Sequence, residues 1–430
     1  MQSIDNREDK KALLDLLQEE EFRYQSIPLA GGLKTSGGDR SGTLALILPP
    51  DLSGKSILDV GCRYGFFSFE AAKRGARRVV GVDFDEDALR KAEKLREVMG
   101  TEVEFRKLDI TKQSLDEKFD VVLCLNVLHH LPDPIRTLNE LVDVTRERLV
   151  LEVAGVRGKD AKKMFQRNAP ATWTLHPLPL LQPILDRLPL IVLGSSDRMF
   201  EANFFFSRTA IERLLVHQKS LFWKVKTVDS PFKGRFICIA DKLRIDDLLI
   251  VAGPSASGKS RFIRDLTAGG HPEVDALLDD RREPWIEGLP NHIADLPQPH
   301  VARLAYHYDF MRPYLRGPFN FERDRATDVF AAAERVASVT LIAAAEDLAD
   351  RWDRREVRSK MRLGLYLGPK RSRKILKAYR DRAQVAALYD RWIDFIRTQQ
   401  GEHHLLDTRD ESSRLVALSE WPALRAAVFG

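Results

Sequence analysis

The sequence predicts an α/β protein with two domains, each built on a mostly parallel β-sheet. Two observations support this. Apolar runs of strand length alternate with helical patterns, and a glycine-rich turn directly follows an apolar run at residues 59–65 and again at 253–260. The 430 residues suffice for two or three domains with separate cores. We predict domains at residues 1–242 and 243–430, joined near DKLRIDD.

The composition is that of an ordinary globular protein. A formal charge of +5 is small for this length and gives no argument for a nucleic-acid partner. Three widely spaced cysteines, Cys62, Cys124 and Cys238, indicate reduced thiols, and the charged N-terminus MQSIDNREDKK is no secretory signal, so we expect a cytoplasmic protein. The apolar stretch 174–196 contains four prolines and predicts an active-site cover or helical insertion rather than a transmembrane segment; contact with a membrane surface is the alternative.

The first domain alternates strand and helix patterns in order. The strands are SILDVG, RVVGVDF, VEFRKLDI and FDVVLCLNVLHH, and the helices between the first three are FFSFEAAKRGA and EDALRKAEKLREVMG, which stop at Gly75 and Gly100. Such alternation is typical of βαβ units. Ligands bind such sheets at the carboxyl ends of the strands, so we expect the chemistry there.

Polar residues and glycines stand at those strand ends. Asp59, Gly61 and Gly65 are candidate cofactor-binding residues in the first turn, where the two glycines allow a ligand to approach the backbone closely. Asp83 ends the second strand, where an acid can accept hydrogen bonds from ribose hydroxyls. The remaining candidates are Asp109, which we expect to meet an adenine amino group at the end of the third strand, and Asn126 at the end of the fourth.

With these residues in order, the sequence resembles the class I S-adenosylmethionine-dependent methyltransferases over about residues 50–155. The resemblance implies a Rossmann-like sheet and S-adenosylmethionine as cofactor. ANFFFSRTAIERLL and FKGRFICIADK resemble the last helix and closing strand of that fold, and FRYQSIPLAGGLKTSGGDR is similar to the wobble-uridine tRNA methyltransferase branch. Arg63 stands where many members have glycine. A dinucleotide-binding domain that uses the same acid on ribose is the alternative.

Methyl transfer requires mainly alignment of the acceptor with the methyl group. An alcohol or amine acceptor also loses a proton. His129 and His130 follow the fourth strand, and one of them is a candidate general base, with His129 slightly favoured and His176 a weaker candidate. The alternative is that one imidazole packs in the core and the other caps the loop.

The second domain begins with LLIVA and the octapeptide GPSASGKS, followed by a helical pattern. This is a P-loop in its strand–loop–helix context. Lys259 is expected to reach the β and γ phosphates, and Ser260 to bind Mg²⁺. The loop residues Gly253, Ser255, Ser257 and Gly258 bring backbone N–H groups toward phosphate oxygens.

Downstream patterns resemble P-loop kinases in general, which implies ATP and Mg²⁺ as cofactors. VARLAYHYDF predicts a strand that ends at Asp309, an acid suited to hold Mg²⁺ or to accept the proton of a phosphoryl acceptor; Asp279 and Asp280 compete for that role. VTLIAA predicts another strand, EDLADRWDRREVRSKMR a helix and HHLLDT a final strand. ATPase, GTPase and sulfotransferase-like chemistry remain open.

A basic segment, residues 351–382, holds thirteen Lys and Arg against three Asp and Glu. It is either a lid whose arginines, Arg358 above all, reach the transferring phosphate, or a solvated basic helix. Contact with RNA or anionic lipid is a further alternative, without a recognisable RNA-binding module to support it.

Together these features predict a bifunctional enzyme, a methyltransferase fused to a P-loop kinase. A polar metabolite, sugar or glycan end would suit both reactions as acceptor. A methyltransferase regulated by nucleotide binding and an RNA-modifying methyltransferase are the rivals, and nucleic acid is possible as a partner but not favoured. The oligomeric state is not predicted.

Overall fold

The structure is a computed structural model. It describes residues 7–156, 182–193, 204–217, 222–278, 283–288, 298–311, 321, 328–362, 369–409 and 415–430. The chain divides into two compact units, Met1–Lys242 and Leu243–Gly430, called here the first and the second unit.

The first unit is built on a sheet with the strand order β3-β2-β1-β4-β5-β9-β8. Strands β1 to β5 pair in parallel, whereas β9 is antiparallel to both β5 and β8. A separate ribbon pairs β6 with β7. The strands are β1 (Ser56–Val60), β2 (Arg78–Asp83), β3 (Val103–Lys107), β4 (Phe119–Leu125), β5 (Thr145–Ala154), β6 (Ile191–Leu193), β7 (Phe204–Phe206), β8 (Phe222–Asp229) and β9 (Arg235–Lys242).

Helices cover both faces of this sheet, which is why its central strands are continuous apolar runs. Ile57 of β1 packs in a core with α1, α3 and α4, and its neighbour Leu58 packs on the other face with α5 and α7. The helices are α1 (Arg7–Glu19), α2 (Ser41–Ile47), α3 (Phe66–Lys73), α4 (Glu86–Met99), α5 (Pro134–Val144), α6 (Gln182–Arg187) and α7 (Arg208–His217).

The second unit is built on a sheet with the order β11-β12-β10-β13-β14-β15, parallel except for β15. Its central strand, β10, precedes the octapeptide of the sequence analysis. The strands are β10 (Arg244–Gly253), β11 (Ile286–Gly288), β12 (His300–Asp309), β13 (Ala333–Ile342), β14 (Glu402–Asp407) and β15 (Leu415–Ala417).

Two different cores cover the faces of the second sheet. Phe262, Ile263 and Leu266 of α8 pack on one face. On the other, Trp392 of α13 stacks on Tyr308 of β12 with ring centroids 4.8 Å apart. The helices are α8 (Lys259–Thr267), α9 (Pro272–Asp275), α10 (Asp328–Ala331), α11 (Ala345–Arg362), α12 (Pro369–Tyr379), α13 (Arg382–Ile396) and α14 (Trp421–Phe429).

Three details differ from the sequence expectations. Strand β3 ends at Lys107, so Asp109 lies two residues beyond it. The predicted closing strand is β9, but an edge strand that we did not predict, β8, pairs outside it; β8 is only half-buried and lacks a continuous apolar run. The HHLLDT strand is β14, and it is not the last strand, since the short antiparallel β15 follows.

The apolar stretch 174–196 is described only for residues 182–193, which form α6 and β6. Ile184, Leu188, Ile191 and Leu193 are exposed there. Among the described helices, none combines the length and apolar character needed to cross a bilayer. Whether this stretch covers an active site stays a prediction.

Each sheet has a point where neighbouring strands send their connections in opposite directions. In the first unit this point lies between β1 and β4, because β1 connects toward β2 and β4 toward β5. In the second it lies between β10 and β13, because β10 connects toward β11 and β13 toward β14. Open α/β sheets bind ligands in the crevice at such points.

Candidate functional sites

The turn after β1 brings the backbone close to the end of β4. Gly61 has a φ of 72°, and a Cβ there would lie 2.2 Å from Val127 Cγ2. Its N–H donates to the Val82 carbonyl at 2.8 Å, which ties the turn to β2 as well. Gly65, with a φ of 86°, begins α3. Any larger residue at Gly61 would have to displace the Val127 side chain.

Arg63 occupies the position where many class I methyltransferases have glycine. It adopts a left-handed backbone conformation with φ 55°, which glycine adopts readily. Its N–H donates to Asp83 Oδ2 at 2.9 Å, and its guanidinium pairs with Asp85. These contacts hold an arginine in the conformation that a glycine would provide.

Asp83, predicted to bind ribose, ends β2 at the edge of this turn. Its two oxygens accept the N–H groups of Arg63 and Asp85, the latter at 3.0 Å. Burial raises the pKa of this carboxyl above its ordinary value. A carboxylate has about four acceptor positions, so these two bonds leave capacity for hydroxyl groups.

Asp59 lies behind the turn. It is 2% exposed and accepts the Ser68 hydroxyl of α3 at 2.7 Å. Burial, with a smaller contribution from the nearby Asp83 charge, raises its pKa to about 7. Asp59 therefore suits a role in fixing α3 against β1 better than direct contact with a ligand.

Asp109 folds back on its own loop. Its Oδ1 accepts the Thr111 hydroxyl at 2.6 Å, and its Oδ2 pairs with Lys112 at 2.8 Å. These contacts, Lys112 foremost, lower its pKa to about 2. The predicted contact with adenine remains a prediction.

Asn126, at the end of β4, belongs to a polar chain that sequence reasoning missed. Its side-chain amide donates to Glu152 of β5, which also accepts the hydroxyl of Ser230. Glu152 is 1% exposed, a position that its apolar neighbours in the sequence did not reveal. Asn126 Oδ1 is buried without a hydrogen-bond partner in the described part of the chain, so it can accept a donor from a bound molecule.

His129 is buried in a short 3₁₀ helix, Leu128–His130, after β4. Its Nδ1 accepts the Ala154 N–H at 3.2 Å, so the neutral ring carries its proton on Nε2. Burial, and then the neighbouring His130, lower its pKa well below the ordinary value. A ring with Nδ1 engaged and Nε2 protonated is poorly suited to take a proton. His130 is only half-buried, and its ring lies 4.2 Å from that of His129.

Gln25, another residue that sequence reasoning missed, supports the turn after β1 from the N-terminal segment. It is 4% exposed, and its Oε1 accepts the Tyr64 N–H at 3.1 Å. It lies in the stretch quoted above for its resemblance to tRNA methyltransferases, but no spacing rule connects it to the turn.

In the second unit, the octapeptide forms a tight loop between β10 and α8. Ala256 and Gly258 have φ angles of 71° and 104°. Helix α8 begins at Lys259, and the Arg261 N–H donates to the Gly258 carbonyl at 2.9 Å. Alternating right- and left-handed residues before a helix start make a concave set of N–H groups that suits an anion.

The side chains of the loop divide into buried and exposed groups. Lys259 is 8% exposed, and its ammonium donates to the carbonyls of Gly253 and Pro254 at 2.8 and 2.7 Å. Ser257 is fully buried, and its hydroxyl has no partner among the described residues. Ser260 is exposed at the helix start, where its hydroxyl is accessible to a metal ion.

Asp309 ends β12 directly beside Gly253 in the strand register. Its Oδ2 accepts the Ser255 hydroxyl at 2.5 Å, and its Oδ1 accepts the Met311 N–H at 3.1 Å. The structure thus brings the predicted acid to the predicted loop. The Ser255 carbonyl also accepts the hydroxyl of Tyr379, a residue of α12 within the basic segment.

Four sequence candidates are placed incompletely. Arg358 lies on α11, and its side chain falls outside the described part of the structure, so no contact with the loop is assigned. Asp279, Asp280 and His176 fall outside the described residues altogether. Among the residues that are described, no cluster of three or more His, Cys, Asp or Glu side chains suits a metal ion.

Residues 51–179 match a protein family described as "Methyltransferase domain". The first unit contains a class I methyltransferase domain. Its sheet is the Rossmann-like sheet that the resemblance implied.

Individual relatives match a small part of the chain. The "Ubiquinone biosynthesis O-methyltransferase" of Pseudomonas fluorescens strain SBW25 is 42% identical over 86 residues, 20% of this chain and 37% of the relative. The enzyme of the same name from Pseudomonas entomophila strain L48 is 42% identical over 85 residues, 19% of this chain and 36% of the relative. The chain thus spans little more than a third of the length of these relatives.

Among solved structures, magnesium protoporphyrin IX methyltransferase from Synechocystis PCC 6803 with bound SAH is 22% identical, with a TM-score of 0.31. That similarity covers 44% of this chain and 75% of the other.

The methyltransferase domain has a site that fits an S-adenosyl cofactor. Gly61 leaves room where a Cβ would collide, and Asp83 retains acceptor capacity. Asn126 presents an acceptor atom that lacks a partner within the described chain. In the loop of the second unit, a Cβ at Gly258 would meet open space, and Ser260 is exposed at the start of α8.

Proposed function

We propose that this chain is a bifunctional transferase that moves a methyl group from S-adenosylmethionine and a phosphoryl group from ATP to a polar acceptor. The observation that carries the proposal is that each sheet has a turn with left-handed glycines at its own topological switch point. The first turn lies between β1 and β4, and the second follows β10 beside β13.

In the methyl transfer, the cofactor supplies an activated methyl group on a sulfonium. Asp83 accepts hydrogen bonds from the ribose, and the turn at Gly61 lets the backbone approach the amino acid portion. Asn126 lies at the end of β4, across the same crevice from the turn after β1, and orients the bound molecule through its amide oxygen. The domain thereby aligns two reactants, and alignment can account for much of such catalysis.

An oxygen acceptor also releases a proton during the reaction. His129 was our first candidate for the base, but its Nδ1 already accepts the Ala154 N–H. We therefore transfer the proposed base role to His130, which is the less buried ring of the pair. The two relatives reported above are O-methyltransferases, which is consistent with an oxygen acceptor.

Replacement of Asp83 tests the cofactor site. Asp83→Asn should weaken binding of S-adenosylhomocysteine by about tenfold or more, because a hydrogen bond to a charged group contributes about 1.5–3 kcal/mol. Titration calorimetry measures the affinity. Asp87→Asn, which removes the same charge from an exposed position on α4, is the matched control and should bind normally. Equal affinity in a folded Asp83→Asn protein would remove Asp83 from the site.

For phosphoryl transfer, we propose that the N–H groups of the loop hold the phosphates and that Lys259 stabilises the charge that develops on them. Mg²⁺ would supply further charge neutralisation at the phosphates. Ser260 presents its hydroxyl to the ion, and Asp309 holds the ion through water or accepts the proton of the phosphoryl acceptor. Arg358 remains a proposed lid residue.

Replacement of Asp309 separates binding from turnover. Asp309→Asn should reduce phosphoryl transfer by about a hundredfold and change equilibrium binding of ATP much less, because the carboxylate acts on the metal or acceptor rather than on the nucleotide. Asp265→Asn, an exposed acid on α8, is the control. Full turnover by Asp309→Asn would show that this acid has no part in the chemistry.

Two rival functions give different results in the same assays. Nucleotide binding without transfer to any acceptor, together with a change in methylation rate, would favour a regulatory second unit. Binding of RNA that weakens steeply with salt would favour an RNA-modifying methyltransferase. The bifunctional proposal expects transfer of both groups to small molecules.

A further inference from the structure

Arg40 is a buried arginine held between two aromatic rings in the first unit. Its guanidinium carbon lies 4.2 Å from the ring centroid of Phe232 and 5.0 Å from that of Tyr24. The residue is 8% exposed. Within the residues that the structure describes, its guanidinium forms no ion pair and no hydrogen bond. Buried charges are normally paired, because an isolated charge is costly to remove from water.

The rings place this guanidinium at the carboxyl edge of the sheet. Phe232 lies in the turn between β8 and β9, and β9 begins at Arg235, which is opposite Ala154 at the end of β5. The same turn supplies Ser230 to the polar chain of Glu152 and Asn126.

The second ring connects Arg40 to the proposed cofactor site. The ring centroid of Tyr24 also lies 5.8 Å from the guanidinium carbon of Arg63, whose N–H binds Asp83. Arg40 therefore stands between the cofactor turn and the ends of β4 and β5.

The carboxylates that lie near Arg40 in sequence or along this edge already form hydrogen bonds or ion pairs with other residues. Asp39 accepts the N–H and the hydroxyl of Ser41 at 2.8 and 2.9 Å. Asp85 pairs with Arg63, and Glu152 accepts from Asn126 and Ser230. Within the described residues, no carboxylate is therefore placed against Arg40, and its guanidinium can receive an anion from a bound molecule.

We propose that Arg40 binds an oxyanion, a carboxylate or phosphate group, of a molecule that occupies the carboxyl edge of this sheet. A guanidinium presents its donors in a planar fork that matches the oxygens of either group, and stacking on two rings fixes the plane of that fork. The inference rests on the proposed methyl-transfer function, which places both reactants at this edge. The oxyanion therefore belongs either to the amino acid end of the cofactor or to the acceptor.

Binding measurements on Arg40→Met in the full chain distinguish these sources. If the cofactor carboxylate is the ligand, S-adenosylhomocysteine should bind about tenfold more weakly or worse, whereas 5′-methylthioadenosine, which lacks the amino acid portion, should bind as to the wild type. If the acceptor supplies the oxyanion, both nucleosides should bind normally. Inorganic phosphate at constant ionic strength should then raise the Tm of the wild type with S-adenosylhomocysteine bound by more than it raises that of the variant, because phosphate held by the loop of the second unit acts equally on both proteins.

Two further variants control for charge and for folding. Arg148→Met removes the same charge from a residue that is already paired with Asp241 and lies toward the amino end of β5. This variant should keep the wild-type nucleoside affinities and the wild-type effect of phosphate on Tm. Arg40→Lys keeps the charge without the planar fork, so it should lose less ligand affinity than Arg40→Met. It takes the place of Arg40→Met in these measurements if the methionine variant does not fold. Identical nucleoside affinities and phosphate response in wild type and Arg40 variants would overturn the proposal. A wild type that binds neither nucleoside would instead contradict the proposed cofactor site.

Discussion

Lys259→Ala should reduce ATP-dependent phosphoryl transfer by at least about a hundredfold, the usual effect of removing a group that stabilises charge in a transition state. The ammonium of Lys259 donates to the carbonyls of Gly253 and Pro254, which belong to the loop where we propose that phosphates bind. Gly258 and Ser260, its neighbours, carry no positive charge. The measurement is transfer of label from ATP to the small molecules of a cell extract, alongside equilibrium binding of ATP with Mg²⁺.

The controls separate loss of charge from loss of the loop. Lys259→Met retains most of the side-chain volume and should be as inactive as Lys259→Ala. Arg261→Ala removes an exposed cation from the same helix and should remain active. Transfer of methyl groups from labelled S-adenosylmethionine should persist in all three proteins, because the methyltransferase domain has its own cofactor turn. Normal phosphoryl transfer by either Lys259 variant would contradict the kinase proposal.

Local sequence patterns predict much of this fold because the decisive interactions are short in range. Strands β1, β10 and β12 contain apolar runs, with Gly61 directly after β1, Gly253 at the end of β10 and Asp309 at the end of β12. Helix α4 follows Asp85, which caps its first N–H groups, and precedes Gly100, which has a left-handed conformation. Such signals occupy a few adjacent residues. The pattern VARLAYHYDF predicted a strand that ends at Asp309. The structure has that strand end beside Gly253 of the loop, because parallel strands end at one edge of a sheet.

The missed residues act across long separations in the chain. Gln25 binds Tyr64, Ser230 binds Glu152, and Arg40 stacks on Phe232; in each pair about 40 to 190 residues intervene. No periodicity links such partners. His129 shows a second limit, because its sequence neighbours do not reveal that its Nδ1 faces the Ala154 amide rather than a substrate.

The largest effect on stability is expected at Asp247, at the centre of the second sheet. Asp247 of β10 is fully buried. Its Oδ1 accepts from Arg335 Nε of β13 at 2.7 Å, and its Oδ2 lies 3.8 Å from Arg303 Nε of β12. One carboxylate therefore lies between arginines from both neighbouring strands. Arg303, only 4% exposed, has a second partner in Asp275, whose Oδ1 lies 2.9 Å from its Nη2.

Asp247→Ala should lower the free energy of unfolding of the second unit by about 1.5–3 kcal/mol, because Arg335 loses its hydrogen bond to a charged and fully buried partner. Urea unfolding followed by tryptophan fluorescence measures it, since four of the six tryptophans, at positions 285, 352, 392 and 421, lie in this unit. Glu334→Ala breaks an exposed pair with Arg244 in the same sheet and should cost less than about 1 kcal/mol. Binding of S-adenosylhomocysteine reports on the first unit and should be unchanged. An Asp247→Ala protein as stable as the Glu334→Ala protein would mean that water or relaxation compensates the two arginines, and that the three central strands do not depend on this shared carboxylate.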